Sequence, residues 1–197
     1  MKSYHALALL SGGLDSILAI KTILAQGLNV LGLHFVSPFF GKPDKIDHWR
    51  TIYEVEILPV DVSDAYVAML ANGPVHGLGK TLNPCVDCKI LMLRRAKAML
   101  EEYGASFIVS GEVLGQRPMS QRLDALNIIS RDSATRDLLL RPLCAKHLPP
   151  TAPEISGLVD RERLYGINGR GRKDQMALAR EYALPEIPTP GGGCLLT

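Results

Sequence analysis

Six residues near the N-terminus, Ser11 to Ser16, combine two glycines, two hydroxyls and one carboxylate in the order SGGLDS. An apolar run precedes them and an apolar helical pattern follows, which predicts a turn between a strand and a helix. Glycines permit a tight bend, and the N–H groups at a helix start attract phosphate. Asp15 would repel a phosphate unless a divalent cation lay between them, so we predict a metal–nucleotide site rather than an ordinary capped helix. The residues predicted to bind the metal–nucleotide complex are Ser11, Gly12, Gly13, Asp15 and Ser16.

Two thiols stand at the start of a predicted helix over 85–103. Cys85 and Cys88 have CxxC spacing, while Cys144 and Cys194 lie farther along the chain. A helix N-terminus favours the thiolate, which binds metals and attacks sulfur. The spacing leaves three interpretations open: a redox dithiol, half of a zinc site, or part of an iron–sulfur site. Cys144 lies in an apolar stretch and is predicted to be a core residue.

Basic residues concentrate in two segments. The first contains Lys89, Arg94, Arg95 and Lys97 without an intervening acid, and the second contains Arg161, Arg163, Arg170, Arg172 and Lys173. Such segments suit a polyanionic partner. Solvated helix faces are the alternative interpretation, and charge alone favours that alternative.

Strand and helix patterns alternate along the chain, which predicts an α/β fold with a doubly wound parallel sheet of about five strands and helices on both faces. The predicted strands cover 5–10, 29–36, 55–62, 106–110 and 138–143, and the clearest predicted helices cover 17–26, 63–71, 85–103, 117–133 and 173–183. Ligands of such sheets lie at the carboxyl ends of the strands. His34 and Phe35, at the end of the second strand, are therefore candidates for adenine contacts, with burial in the core as the alternative. Arg141 and Lys146, beyond the fifth strand, are candidates for cationic contacts near the phosphates, although Arg141 could instead pair with a carboxylate.

The 197 residues, of which 47% are hydrophobic, predict one domain over 1–197 with a substantial core. The sequence has no run of 18 apolar residues and no signal-peptide pattern, which predicts a cytoplasmic protein without a membrane partner. Four cysteines are too few for a disulfide scaffold. The net charge of +2 excludes little, and the oligomeric state stays open between monomer and homodimer.

Five segments together resemble the PP-loop (N-type) ATP pyrophosphatases and, among them, the tRNA thiolation enzymes. They are SGGLDS at 11–16, Asn-Pro-Cys-x-x-Cys-Lys at 83–89, Ser-Gly-Glu at 110–112, Arg-Pro-Leu at 141–143 and Gly-Gly-Gly-Cys at 191–194. The resemblance implies an adenine nucleotide α hydrolase-like (HUP) fold that binds ATP and Mg²⁺ and includes Gly111 in its nucleotide site. It also implies the reaction: ATP adenylates a uridine oxygen of tRNA with release of pyrophosphate, and a sulfur donor displaces AMP.

The resemblance further implies roles for three cysteines. Several members hold a [4Fe–4S] cluster on three thiolates, matching Cys85, Cys88 and Cys194, whereas others use two of these residues as a persulfide carrier and a resolving thiol. We therefore expect Asp15, Cys85 and Cys194 to be catalytic, with sulfide or a persulfide carrier as sulfur donor. The three thiols are expected to converge in space, with Cys144 elsewhere.

Two other functions stay open at this stage. One is a PP-loop enzyme that adenylates and thiolates or amidates a small molecule, and the other is a nucleotide or iron–sulfur module without catalysis. Glu112 occupies a position where many relatives have histidine. The segment from Gly111 onwards is similar to a subgroup labelled tRNA thiouridylate methyltransferase-like, whose members generally continue beyond this point, and whether a further domain follows stays open.

Overall fold

A computed structural model describes residues 3–79, 82–188 and 194–196, and in them the chain forms a five-stranded parallel sheet. The strands are β1 (Ala6–Leu9), β2 (Val30–Val36), β3 (Glu56–Asp61), β4 (Phe107–Ser110) and β5 (Leu139–Leu140). Their order is β3-β2-β1-β4-β5. Because the chain winds away from β1 in opposite directions, a crevice forms at the carboxyl end of β1, where ligands of such sheets bind.

Helices cover both faces of the sheet. They are α1 (Leu14–Leu24), α2 (Ile46–Tyr53), α3 (Ser63–Asn72), α4 (Cys85–Met99), α5 (Leu123–Asp132), α6 (Ala152–Ile155) and α7 (Lys173–Glu181). Side chains of β1 alternate between two core clusters: Ala6 and Ala8 join the cluster that contains α1, α2 and α7, whereas Leu7 and Leu9 join the cluster that contains α4 and α5. The predicted doubly wound α/β fold is therefore confirmed.

Helices α2 and α5 differ from the sequence prediction. Helix α2 was not predicted, although Ile46, Trp49 and Tyr53 recur at helical spacing and are buried. Helix α5 begins at Leu123 rather than at 117. The residues before it form a turn across Pro118, in which the Gln121 N–H donates to the Arg117 carbonyl at 3.1 Å. In the described part of the chain, no helix is both long and apolar enough to cross a membrane.

Candidate active site

The loop between β1 and α1 is shaped by its own glycines and serines. Gly12 has a φ of +78°, and a Cβ there would lie 2.2 Å from the Trp49 ring, so both conformation and space require glycine. The Ser16 hydroxyl donates to the Gly13 carbonyl at 2.7 Å, and the Gly13 N–H donates to Ser11 Oγ at 3.3 Å. Gly13, the N-cap of α1, has no side chain to cap the helix. The N–H groups of Leu14 and Asp15 are therefore left available for an anion, whereas the Ser16 N–H donates to the Gly13 carbonyl at 3.1 Å.

Asp15 lies on the first turn of α1 with its side chain 17% exposed. Its Oδ2 accepts hydrogen bonds from Gln116 Nε2 at 2.6 Å and from an Arg172 guanidinium nitrogen at 3.4 Å. Its Oδ1 is buried without a hydrogen-bond partner among the described residues. A buried carboxylate oxygen without a partner is unfavourable, and carboxylate oxygen is the ligand that Mg²⁺ prefers. The donor set beside the glycine loop therefore fits a Mg²⁺–nucleotide complex.

Gly111 connects β4 to this loop. A Cβ at Gly111 would lie 2.5 Å from the backbone carbonyl of Asp15 and 2.6 Å from the Ser16 nitrogen. The end of β4 therefore contacts the first turn of α1 directly, at a separation that only glycine permits. Gly111 supports the backbone of the predicted phosphate site from behind.

His34 and Phe35 are buried, which is the core alternative that the sequence left open. The Lys42 N–H donates to His34 Nε2 at 2.8 Å, so Nδ1 carries the proton and donates to the Leu10 carbonyl at 2.9 Å. Burial lowers the pKa of His34, and its ring meets Trp49 edge-on at a centroid distance of 5.1 Å. His34 therefore supports Trp49 behind the glycine loop, whereas Phe35 belongs to the core cluster on the opposite face.

Arg141 and Lys146 both make contacts with other protein groups. Arg141 is 6% exposed and pairs with Glu112, Nε to Oε2, at 2.9 Å. It also donates to Ser130 Oγ at 3.2 Å. Lys146 donates to the Glu162 carbonyl at 3.0 Å. The expected phosphate contact of Arg141 is corrected accordingly, because its buried guanidinium is already paired by protein groups. Lys146 is 43% exposed, and its phosphate contact stays a prediction.

Glu112 is fully buried in this pair. Burial alone would raise the pKa of Glu112, but the Arg141 charge, the nearby Lys89 and the hydrogen bonds from Arg141 and Ser110 hold it below its usual range. The carboxylate consequently stays charged at neutral pH and binds the end of β4 to the residues after β5.

The structure brings the thiols of Cys85, Cys88 and Cys194 together around the buried side chain of Tyr66. Cys85 begins α4, and Cys194 reaches this edge of the sheet through a bridge to Phe40. Burial raises the pKa of Tyr66, and the three neighbouring cysteines raise it further. Cys144 is elsewhere, fully buried, with its thiol on the Glu112 carbonyl.

Burial, more than helix position, decides the ionisation of Cys88. It raises the pKa of this thiol to about 12, so the expected activation by the start of α4 does not hold for Cys88. Among residues 3–79, 82–188 and 194–196, no group of three His, Cys, Asp or Glu side chains has the geometry to hold a metal ion. The [4Fe–4S] cluster that the resemblance implies therefore has no support among the described residues, and the glycine run at 191–193 lies outside them.

Several residues of the basic segments bind carbonyl groups at the ends of helices. Arg94 donates to the Asp132 carbonyl at 2.7 Å, Lys97 to the Ala134 carbonyl at 2.8 Å, and Arg163 to the Ala25 carbonyl at 2.6 Å. These contacts satisfy helix C-termini and are structural. Arg95 and Arg170 are exposed.

Sequence reasoning missed four residues of the site: Trp49, Tyr66, Gln116 and Gln175. Gln175 is fully buried and donates to Gln116 Oε1 at 2.9 Å, and Gln116 in turn holds Asp15. No sequence signal links Gln116 to Asp15, because they lie 101 positions apart. Helical spacing in α2 was the available signal for Trp49.

Comparison with known proteins gives a consistent result. A family model described as "ThiI: Thiamine biosynthesis protein (ThiI)" matches residues 2–147. A probable tRNA sulfurtransferase of Thermococcus kodakarensis is 27% identical over 190 residues, covering 92% of this chain and 44% of the relative. A tRNA sulfurtransferase of Sodalis glossinidius is 32% identical over 160 residues, covering 76% of this chain and 31% of the relative. The chain thus spans less than half the length of these relatives.

A solved structure supports the fold. It is described as a predicted subunit of tRNA methyltransferase from Methanocaldococcus jannaschii, and the match has a TM-score of 0.50 and 14% sequence identity. It covers 71% of this chain and 69% of the other. At this identity the likeness concerns the fold alone.

Proposed function

Because this chain belongs to the ThiI family, we propose that it is an ATP-dependent sulfurtransferase acting on a tRNA uridine. In the proposed reaction the uridine oxygen attacks the α-phosphate of ATP, pyrophosphate leaves, and sulfur then displaces AMP. The relatives from Thermococcus and Sodalis are named for tRNA sulfur transfer, which supports tRNA as the acceptor. Such a substrate would place the protein in the cytoplasm.

The observation that carries the proposal is the state of Asp15 beside the glycine loop. Its unpartnered Oδ1 offers a cation ligand where the N–H groups of α1 offer phosphate donors. Bound Mg²⁺ would offset the charge that develops on the leaving pyrophosphate. Ser11, Gly12, Gly13 and Ser16 would surround the phosphate oxygens. Hydrogen bonds within the loop already fix its backbone in this conformation.

Cys85 and Cys194 are the proposed sulfur-handling residues, with Cys88 as their neighbour. The supporting observation is their convergence around Tyr66, at the edge of the sheet where α4 begins. In the persulfide route, one thiol would receive a sulfane sulfur from a persulfide carrier. The second thiol would form a disulfide with the first as the sulfur leaves for the uridine, so this route needs only two cysteines in reach of each other. A three-cysteine [4Fe–4S] site would instead need all three thiols as iron ligands.

Iron analysis of anaerobically reconstituted protein decides between the two sulfur routes. A cluster would give about four irons per chain, lost on serine replacement of Cys85, Cys88 or Cys194 and kept in Cys144→Ser. Absence of iron together with a Cys85–Cys194 disulfide after turnover would establish the persulfide route.

Pyrophosphate release tests the function as a whole. We expect release from ATP that depends on unmodified tRNA, with thiolated uridine as the product. Arg95→Glu with Arg170→Glu should weaken tRNA binding and lower its salt dependence, since each lost phosphate contact removes released counterions. Thermal melting of the double variant controls for its folding.

The small-molecule alternative has one observation in its favour, because the family description names thiamine biosynthesis. Pyrophosphate release that is indifferent to tRNA would establish that alternative. ATP binding without pyrophosphate release would instead indicate a module without catalysis.

A further inference from the structure

Arg172 is a cation at the proposed phosphate site that no sequence motif indicated. A terminal nitrogen of its guanidinium lies 3.4 Å from Asp15 Oδ2. The side chain is 33% exposed. Gln116 makes the shorter contact to the same oxygen, at 2.6 Å. Arg172 therefore neutralises Asp15 through a long, partly solvated contact, while Gln116 fixes the carboxylate.

The backbone of Arg172 is held at this position from both sides. On one side, Asn168 bridges to Leu114, and the Gly169 N–H donates to the Leu114 carbonyl at 2.8 Å. On the other side, Arg172 is the N-cap of α7, whose buried Gln175 binds Gln116. These contacts fix the backbone on both sides of Arg172 against the loop after β4, so a change of partner requires only the arginine side chain to move.

The chemistry of the proposed site sets two demands on that side chain. A metal ion bound to Asp15 would repel the guanidinium from the carboxylate, because both are cations. Phosphate oxygens held at the start of α1 would attract it, since the planar fork of arginine matches phosphate in two parallel hydrogen bonds. Asp15 is on the first turn of α1, so the two possible partners of Arg172 lie side by side.

We propose that Arg172 is a nucleotide-binding residue that pairs with Asp15 in the nucleotide-free protein and moves to the phosphates when Mg²⁺ and ATP bind. The proposal rests on the proposed function and adds to it. Before Mg²⁺ and ATP bind, the Arg172 guanidinium offsets the negative charge of Asp15. After ATP binds, the same guanidinium offsets negative charge that develops on the leaving pyrophosphate.

Isothermal titration of the whole chain with ATP, and separately with pyrophosphate, each with Mg²⁺, tests this. Arg172→Ala should weaken both affinities about tenfold to about 100-fold, the loss expected for a charge-assisted hydrogen bond. Arg172→Lys should fall between wild type and alanine, because it keeps the charge but loses the fork. Arg170→Ala is the matched control, an exposed arginine of the same segment, and should bind both ligands within about threefold of wild type.

Three outcomes would overturn the proposal. Arg172→Ala binding both ligands as wild type does would leave Arg172 as a partner of Asp15 only. Equal losses in Arg170→Ala would indicate a general field of positive charge. Unchanged ATP binding with weaker tRNA binding and a lower salt slope would assign Arg172 to an RNA surface.

The proposed function fails on different results. Mg²⁺–ATP binding that depends on Arg172, without pyrophosphate release in the presence of tRNA, would refute sulfur transfer and leave the Arg172 proposal standing. If the wild-type chain releases pyrophosphate in the presence of tRNA and Arg172→Ala binds ATP with wild-type affinity, the Arg172 proposal is refuted and sulfur transfer stands. Absence of any nucleotide binding by the wild-type chain would refute both.

Discussion

Two carboxylate–arginine pairs flank the end of β4, and they differ in burial and in contacts. Glu112 and Arg141 are 3% and 6% exposed, 2.9 Å apart, and Arg141 also binds Ser130. Asp15 and Arg172 are 17% and 33% exposed and 3.4 Å apart. Each carboxylate has one buried oxygen without a hydrogen-bond partner among the described residues, Glu112 Oε1 in the first pair and Asp15 Oδ1 in the second. The first pair is shielded from solvent, whereas the second is exposed enough for a ligand to reach both the carboxylate and the arginine.

The difference shows how one residue type serves structure in one place and binding in another. Breaking a buried pair leaves an uncompensated charge, which costs about 3–5 kcal/mol, while a partly exposed pair contributes at most about 1 kcal/mol. Stability should therefore depend on Glu112 and Arg141, and nucleotide chemistry on Asp15 and Arg172. Each of the following experiments tests one side of that division.

The largest expected effect is on folding. Arg141→Ala should lower the free energy of unfolding by about 3–5 kcal/mol, because Glu112 would stay buried without its cation. Urea denaturation measures this, with Arg172→Ala as the control, expected to change stability by less than about 1 kcal/mol. The double variant Glu112→Met with Arg141→Met should recover much of the loss, and equal losses in Arg141→Ala and Arg172→Ala would erase the distinction between the pairs.

The next effect is on chemistry. Asp15→Asn should reduce pyrophosphate release about 100-fold to about 1,000-fold, since it removes the charged ligand expected for Mg²⁺ at the leaving group. Its thermal melting should stay close to that of wild type, because Asp15 lies at a partly exposed turn. Wild-type turnover would remove Asp15 from the mechanism, and a collapsed melting curve would make it structural.

A substitution at Gly111 should affect both pairs together. Gly111→Ala places a Cβ 2.5 Å from the Asp15 carbonyl group, so the end of β4 must shift away from α1. We expect a loss of about 1–3 kcal/mol in stability, together with weaker ATP binding. Gly171→Ala, where a Cβ meets nothing within 4 Å, is the matched control for stability. Normal behaviour of Gly111→Ala would mean that the strand end and the loop are not coupled.

The smallest expected effect is a pH dependence from Glu112. Its pKa is held below the ordinary glutamate value, so its contribution to stability is present above about pH 4.3 and is lost as the pH falls through the folded-state pKa. Unfolding free energies measured between about pH 6 and about pH 3 should therefore fall less steeply in Glu112→Gln than in wild type. Parallel curves would show that Glu112 titrates as it does in the unfolded chain.

Structural features that depend on residues close together in the chain could be predicted from the sequence. The alternation of strand and helix patterns predicted the parallel sheet, and SGGLDS predicted the turn in which Gly12 takes a positive φ. Backbone conformation follows local residue types, and glycine is the residue that adopts this region without strain. Apolar periodicity likewise predicted α4 and α7, because their buried residues recur at helical spacing.

The pairing of charged groups and the ionisation of the Cys88 thiol depend on how distant elements pack in the folded chain. Arg172 lies 157 positions from Asp15, whereas Arg141, the cation expected at the phosphates, is buried against Glu112. The partner of a long side chain depends on how distant elements come together, and sequence spacing does not encode that. The Cys88 thiol shows the same limit, because burial raises its pKa to about 12 although it stands in the first turn of a helix. Desolvation is a property of the folded molecule, and in this site it outweighs the local effect of the helix end.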